Sequence, residues 1–147
     1  MLTLSRPPRN GAEDAVPHLV VEYSANLESS VDLDALLDRL YESAIDSGMF
    51  PLGGIRVRAY KAEHYRIADL SPDNAFVHVT AIVGAGRPLD RREQVARQLF
   101  GALCDALEPL SAAGPLAISF NMREFDPVLN LKKNNLHEYI RKRREGD

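Results

Sequence analysis

The chain lacks several features that would indicate a compartment or a class of partner. Among its 147 residues there is one cysteine, Cys104, which excludes an intrachain disulfide and is typical of a reducing compartment. We expect this cysteine to be a small core residue. No apolar run approaches the length that a bilayer requires, and residues 1–16 contain no sustained apolar stretch typical of a secretory signal. We therefore expect a cytoplasmic protein with no membrane partner.

An excess of charge of either sign is also missing. The formal net charge of −3 gives no bulk attraction to nucleic acid or to anionic membranes. The basic run at residues 141–144 is interpreted as a solvated helix end, whose cations favour the negative end of the helix dipole. Nucleic-acid binding through this run is an alternative, but the acidic total charge argues against it, so we predict no nucleic-acid partner.

Complete motifs for nucleotides and metals are absent. Gly84-Ala85-Gly86 lies between a predicted strand and a predicted helix, but Leu89 stands where a dinucleotide-binding pattern needs its third glycine. We interpret these glycines as a sharp turn, or alternatively as a turn that brings Arg87 into a pocket at the end of the sheet. The histidines do not have zinc-site spacing and have no partner cysteines. We predict no metal and no cofactor. The four histidines are His18, His64, His78 and His137.

The apolar periodicity predicts an α+β fold. Strands are predicted at residues 17–23, 55–60, 75–83 and 116–122, and helices at residues 33–44, 89–107 and 134–144, with a loop at 109–115. The order strand, helix, strand occurs twice, and the crossover rule makes the two strands of each unit parallel. We expect a double βαβ unit: a four-stranded mixed sheet, two helices on one face and a short C-terminal helix. Expected helix ends are Asp32 as an N-cap, Gly48 as a stop, and Asn134 or Asn135 as a cap.

Pro17 stands at the head of the first predicted strand. If it were the first residue of the mature chain, it would carry a basic secondary amine; within a peptide bond, the same nitrogen has no basicity. Residues 1–16 have no apolar periodicity, so we predict a flexible extension there and a domain at residues 17–147. Arg56 and Arg58 share one strand face, which either is solvated or offers guanidinium groups to a carboxylate ligand.

Five segments together resemble the 5-carboxymethyl-2-hydroxymuconate delta-isomerase family of the tautomerase superfamily. The resemblance spans about residues 17–137, with no insertions in its spacing. The segments are Pro17-His18-Leu19-Val20-Val21-Glu22, Phe50-Pro51-Leu52-Gly53-Gly54-Ile55-Arg56-Val57-Arg58-Ala59, Ala75-Phe76-Val77-His78-Val79-Thr80, Gly84-Ala85-Gly86-Arg87 and Leu129-Asn130-Leu131-Lys132-Lys133-Asn134-Asn135-Leu136-His137.

The resemblance implies a homotrimer of double βαβ subunits that acts without cofactor or metal. It implies an isomerase of aromatic-acid breakdown, in the homoprotocatechuate branch, which moves a proton from a dienol oxygen to a carbon of a small polycarboxylate. The base of the family falls on Pro17 and its two arginines fall on Arg56 and Arg87. We add Arg58 as a candidate substrate-binding residue, and leave the reach of Arg58 and His137 toward the pocket open.

The sequence departs from the family in having residues before Pro17. We hypothesise that Val16 is the true start, read from a GTG codon, and that removal of the initiating methionine then exposes Pro17. The alternative is a non-catalytic trimeric module in which the extension keeps Pro17 acylated. A tautomerase that acts on a different dicarboxylate is a second alternative.

Overall fold

A computed structural model describes residues 17–146 as one sheet with helices packed against it. The predictions that concern residues 1–16 lie outside the described residues. The strands are β1 (His18–Ser24), β2 (Arg56–Ala62), β3 (Ala75–Val83) and β4 (Leu116–Glu124), and the helices are α1 (Leu33–Asp46), α2 (Leu89–Ala113) and α3 (Leu136–Glu145). Short 3-10 turns lie at Ala25–Leu27 and Leu52–Gly54.

The sheet confirms the predicted double βαβ architecture. Its strand order is β2-β1-β3-β4. β1 pairs with β2 in parallel, β3 pairs with β4 in parallel, and the two units meet where β1 and β3 pair antiparallel. Each parallel pair is joined through a helix, as a parallel connection requires.

The core lies between one face of the sheet and the helices α1 and α2. Alternate residues of β1 and β3 are buried, and the buried residues of the two helices recur at helical spacing. The opposite face of the sheet carries the other residue of each alternating pair and is not covered by α1 or α2. The fully buried side chains of the core include Leu19, Val21, Leu40, Val77, Val79, Val95, Leu99, Leu103 and Leu107.

Two expectations about α2 were wrong. The helix continues to Ala113, so the predicted loop at residues 109–115 is mostly helical, with Pro109 inside the helix. Leu110 extends the apolar stripe onto the core, and this packing outweighs the hydrogen bond that proline removes. Cys104 is half-buried rather than in the core, because Leu103 and Leu107 occupy the inward positions of its turn.

The helix ends follow the predicted chemistry. The Asp32 side chain accepts a hydrogen bond from the Ala35 N–H (3.1 Å) and caps α1. Gly48 follows this helix with φ of 68°, a conformation that favours glycine. At α3 the two predicted candidates differ: Asn134 accepts from the Leu136 N–H (2.8 Å), whereas the side chain of Asn135 makes no capping bond.

No helix within residues 17–146 combines the length and the apolar character needed to cross a bilayer.

Candidate functional site

The strand register places the starts of β1 and β2 beside the ends of β3 and β4. His18 lies opposite Arg56 on one side and opposite Ile82 on the other, and Val83 lies opposite Glu124. Residues that are far apart in the sequence therefore meet at one edge of the sheet. This edge contains all four predicted site residues: Pro17, Arg56 and Arg58 at the starts of β1 and β2, and Arg87 in the turn after β3.

Pro17 is fixed at the start of β1. Its side chain is fully buried, and its carbonyl oxygen accepts a hydrogen bond from the Arg56 N–H (3.1 Å). This bond extends the β1–β2 ladder by one position and ties the proposed base to the first residue of β2. A group held this way has a defined position relative to the side chains on β2.

Arg56 is half-buried and is held by a backbone carbonyl. Its Nη1 donates to the Gly53 oxygen (3.1 Å), and Asn134 Nδ2 donates to the same oxygen (3.0 Å). The segment before α3 and the turn before β2 are thereby joined at Gly53. The sequence indicated Asn134 only as a helix cap; its second bond depends on tertiary contact across 81 positions.

Arg58 lies on the uncovered face of the sheet, and its Nη1 is 2.9 Å from His18 Nδ1. A guanidinium group has only donors, so Nδ1 must be the acceptor and the ring proton is on Nε2. Burial lowers the pKa of His18 below its ordinary value, and the charges of Arg58 and Arg56 lower it further. His18 is therefore neutral near pH 7. The sequence patterns gave His18 no role, and only the diagonal contact between β1 and β2 provides one.

Arg56 and Arg58 have no acidic partner in the part of the chain that the structure describes. The ion pairs of residues 17–146 involve other cations. Both residues are half-buried, and they share one face of β2. A charge that is partly removed from water needs compensation, so this pair can accept an anion, and planar guanidinium groups match carboxylates in geometry.

Arg87 lies in the turn between β3 and α2, at the same edge of the sheet as Pro17. Gly86 has φ of 102° and donates its N–H to Glu124 Oε2 (2.8 Å), and the Arg87 carbonyl accepts from Arg92 Nε (3.0 Å). Arg92 also pairs with Glu124 (3.6 Å). These contacts fix the backbone of the turn, which confirms the interpretation of the glycines as a sharp strand-to-helix turn.

His137 packs against Gly53, in the turn that precedes β2. A Cβ atom at Gly53 would lie 2.6 Å from His137 Nδ1, so only glycine permits this approach. The ring borders a cavity of about 380 Å³ lined with residues of α3, including Arg141 and Arg144. In residues 17–146, no three His, Cys, Asp or Glu side chains converge into a set that could hold a metal ion.

Comparisons with known proteins agree over almost the whole described region. A model of the family described as 5-carboxymethyl-2-hydroxymuconate isomerase matches residues 17–140. The 5-carboxymethyl-2-hydroxymuconate Delta-isomerase of Escherichia coli is 38% identical over 122 residues, which cover 83% of this chain and 97% of that protein.

Solved structures give the same result. The crystal structure of a 5-carboxymethyl-2-hydroxymuconate isomerase from Deinococcus radiodurans R1 is 35% identical, with a TM-score of 0.81 over 86% of this chain and 96% of the other. A fused 4-OT wild-type symmetric trimer is 21% identical, with a TM-score of 0.55 over 80% and 92% of the two chains. The latter likeness concerns the fold alone.

Proposed function

We propose, from the premise that this chain belongs to the 5-carboxymethyl-2-hydroxymuconate isomerase family, that Pro17 and neighbouring arginines carry out its isomerisation. The substrate is 5-carboxymethyl-2-hydroxymuconate or a similar conjugated hydroxy-dienoic polycarboxylate. The proton of the enol oxygen moves to a carbon of the conjugated chain, and the enol becomes a ketone. The overall reaction is a rearrangement, so no oxidant, reductant or co-reactant is consumed.

One observation carries this proposal: beside Pro17, at the start of β2, lie two half-buried arginines that have no acidic partner within the described residues. The Arg56 backbone N–H donates a hydrogen bond to the Pro17 carbonyl, and Arg58 follows two residues later on the same face of β2. A polyanionic substrate would supply the missing negative charge. A solvated outer face would not need to hold its arginines by bonds to Gly53 and His18.

Pro17 acts as the base when its nitrogen is the chain terminus. An α-amine has a pKa of about 7.7–8.0, and a secondary amine such as proline has a somewhat higher value. Nearby guanidinium charges disfavour the protonated form and lower this pKa, which brings the amine toward the pH at which a proton is both taken and returned. The nitrogen accepts the enol proton and then delivers it to carbon.

The arginines hold the substrate and the charge that develops on it. Arg56 and Arg87 are assigned to the substrate oxygens, where they stabilise the dienolate that forms after the enol proton has left. Arg58 is assigned to a carboxylate. Because Arg56 and Arg58 are already held by hydrogen bonds before the reaction, they can act without reorganisation.

The decisive experiment compares two forms of the protein, with intact mass spectrometry to confirm each N-terminus. One form begins at Met1, and the other begins at Pro17. We expect the form with acylated Pro17 to isomerise 5-carboxymethyl-2-hydroxymuconate about 10²–10⁴-fold more slowly. Equal rates for the two forms would refute Pro17 as the base, and no activity in either form would leave the alternative of a non-catalytic module.

We further propose that residues 1–16 are an extension outside the domain. The enzyme is proposed to act in the cytoplasmic breakdown of aromatic acids. The one cysteine of the chain supports a reducing compartment.

A homotrimer is the proposed assembly. The sheet face opposite α1 and α2 has no covering element in the described residues, and Leu129 and Leu131 are 77% and 88% exposed. Exposed apolar side chains such as these two leucines favour association between copies of the chain, and a solved 4-OT protein with the same fold is described as a trimer. Sedimentation equilibrium tests this assembly, and a monomeric mass at micromolar concentration would contradict it.

A further inference from the structure

His18 adjoins both the proposed base and the proposed substrate-binding arginines. It follows Pro17 directly, it is the register partner of Arg56, and its Nδ1 contacts Arg58 at 2.9 Å. Its side chain is on the uncovered face of the sheet with both arginines. The reaction proposed above assigns no step to this residue.

We propose that His18 is a positioning residue that holds the guanidinium group of Arg58 in one orientation, so that Arg58 can bind a carboxylate of the substrate. The inference rests on the proposed function, because it assumes that Arg58 meets an anionic substrate. It adds a residue that does not touch the reacting atoms but determines where one of the substrate's charges is bound.

The group that accepts the Arg58 hydrogen bond is a neutral imidazole nitrogen and not a carboxylate. A carboxylate beside Arg58 would orient the guanidinium and also neutralise it, which would compete with the substrate. A neutral imidazole nitrogen accepts one N–H bond and leaves the positive charge uncompensated. His18 thus provides orientation without charge cancellation, which is what an anion-binding arginine requires before its ligand arrives.

The ring of His18 is itself held in place. Phe125 meets it edge to face, with ring centroids 5.5 Å apart and planes at 78°. The Phe125 N–H donates to the Val83 carbonyl (2.8 Å), which fixes Phe125 at the end of β3. The imidazole therefore contacts Arg58 on one side and an anchored aromatic ring on another, and its orientation is restricted before substrate binds.

Protonation of His18 would break this arrangement. An imidazolium ion has no acceptor, so its Nδ1 could no longer receive the Arg58 bond, and two like charges would face each other. We therefore expect substrate affinity to fall as the pH decreases through the pKa of His18. Ile82 and Phe125 are uncharged neighbours of His18. The charged groups on the same sheet face as His18 are Arg56 and Arg58 on β2, Glu22 on β1 and Arg123 on β4.

The test compares His18→Asn with His18→Leu in the form of the protein that begins at Pro17 and in the full chain. Asparagine places its Oδ1 near the position of Nδ1 and does not titrate, whereas leucine removes the acceptor. For 5-carboxymethyl-2-hydroxymuconate we expect His18→Leu to raise KM about tenfold with kcat changed less than about threefold. His18→Asn should keep KM within about threefold of the native value and lose the increase of KM at low pH.

A double-mutant cycle distinguishes positioning from a general structural role. If His18 acts through Arg58, the effect of His18→Leu on KM disappears in an Arg58→Leu background. An equal effect in both backgrounds would overturn the proposal, as would an unchanged KM in His18→Leu. Thermal unfolding of each variant identifies any loss of activity caused by unfolding.

The outcomes also separate this inference from the proposed function. If acylation of Pro17 abolishes isomerisation while Arg58→Leu leaves KM unchanged, the roles of His18 and Arg58 in substrate binding are refuted, and Pro17 stands as the base of the proposed reaction. If acylation of Pro17 has no effect on the rate, the proposed base is refuted whatever the His18 variants do.

Discussion

Replacing Arg56 with glutamine removes a charge from the site while preserving much of the local packing. Arg56 is half-buried, and its guanidinium group donates to the Gly53 carbonyl (3.1 Å) and has no carboxylate within salt-bridge distance among residues 17–146. Glutamine retains an N–H donor but has no charge and no planar fork for a carboxylate. The substitution therefore tests the interaction of Arg56 with the substrate more than its contribution to folding.

The size of the effect follows from the interaction that is lost. A hydrogen bond to a charged group contributes about 1.5–3 kcal/mol, and removal of a single oxyanion donor costs about 10²–10³ in rate. We expect Arg56→Gln to lower kcat/KM about 10²-fold, equivalent to about 2.7 kcal/mol of transition-state stabilisation. Arg56→Lys keeps the charge but loses bidentate geometry, so its kcat/KM should fall by only about tenfold.

The assay measures isomerisation of 5-carboxymethyl-2-hydroxymuconate from its change in ultraviolet absorbance. Arg66→Gln is the matched control, because Arg66 also donates from Nη1 to a backbone carbonyl (Tyr65, 2.8 Å) but lies beyond the opposite end of β2 and is exposed. The reasoning would fail if folded Arg56→Gln retained activity within about threefold of native, or if Arg66→Gln lost as much.

Three further predictions concern stability. The pKa of His18 is lowered in the folded protein, so the unfolded chain binds more protons than the folded protein as the pH falls below the ordinary value of 6.5. The free energy of unfolding of the native protein should therefore decrease in this pH range relative to that of His18→Asn. Parallel pH profiles of the two proteins in denaturant titrations would contradict this. Asn134→Ala should lower the free energy of unfolding by about 1–2 kcal/mol, because the Asn134 side chain makes hydrogen bonds to both α3 and Gly53. Asn135→Ala loses no capping bond and should change the free energy of unfolding by less than about 0.5 kcal/mol. Equal effects of the two substitutions in chemical denaturation would refute Asn134 as the residue that caps α3. Gly53→Ala should destabilise the protein by about 1–3 kcal/mol, because its Cβ would collide with His137, and an unchanged melting temperature would show that the ring moves at no cost.

Local sequence patterns predicted the elements of the fold well. Alternation in β3 and helical spacing in α1 correspond to their burial, and the crossover rule gave both parallel pairs. The prediction was wrong at Pro109, where a local preference against helix was outweighed by burial of Leu110 against the core. Propensity acts through neighbouring residues, and packing against distant residues can override it.

The candidate site was only partly predictable. The resemblance indicated Pro17, Arg56 and Arg87, and the alternation in β2 placed Arg58 on the face of Arg56. Neither observation indicated His18, because its contact with Arg58 spans 40 positions and requires the β1–β2 register. The structure brings Pro17, Arg56 and Arg58 together, and their catalytic and binding roles remain predictions.

The sequence alone determined the order of the strands and of the three helices, the parallel pairing within each unit and the family, because these depend on periodicity, turn chemistry and motif spacing. The tertiary structure decided the partners of Arg56 and Arg58. Antiparallel pairing of β1 with β3 brings the turn after β3 to the edge where β1 and β2 begin, and packing of α3 against the turn before β2 brings Asn134 to Gly53. The interaction between two charges depends on their distance in space. A guanidinium group without an acidic partner can therefore be identified only when the positions of all its described neighbours are known.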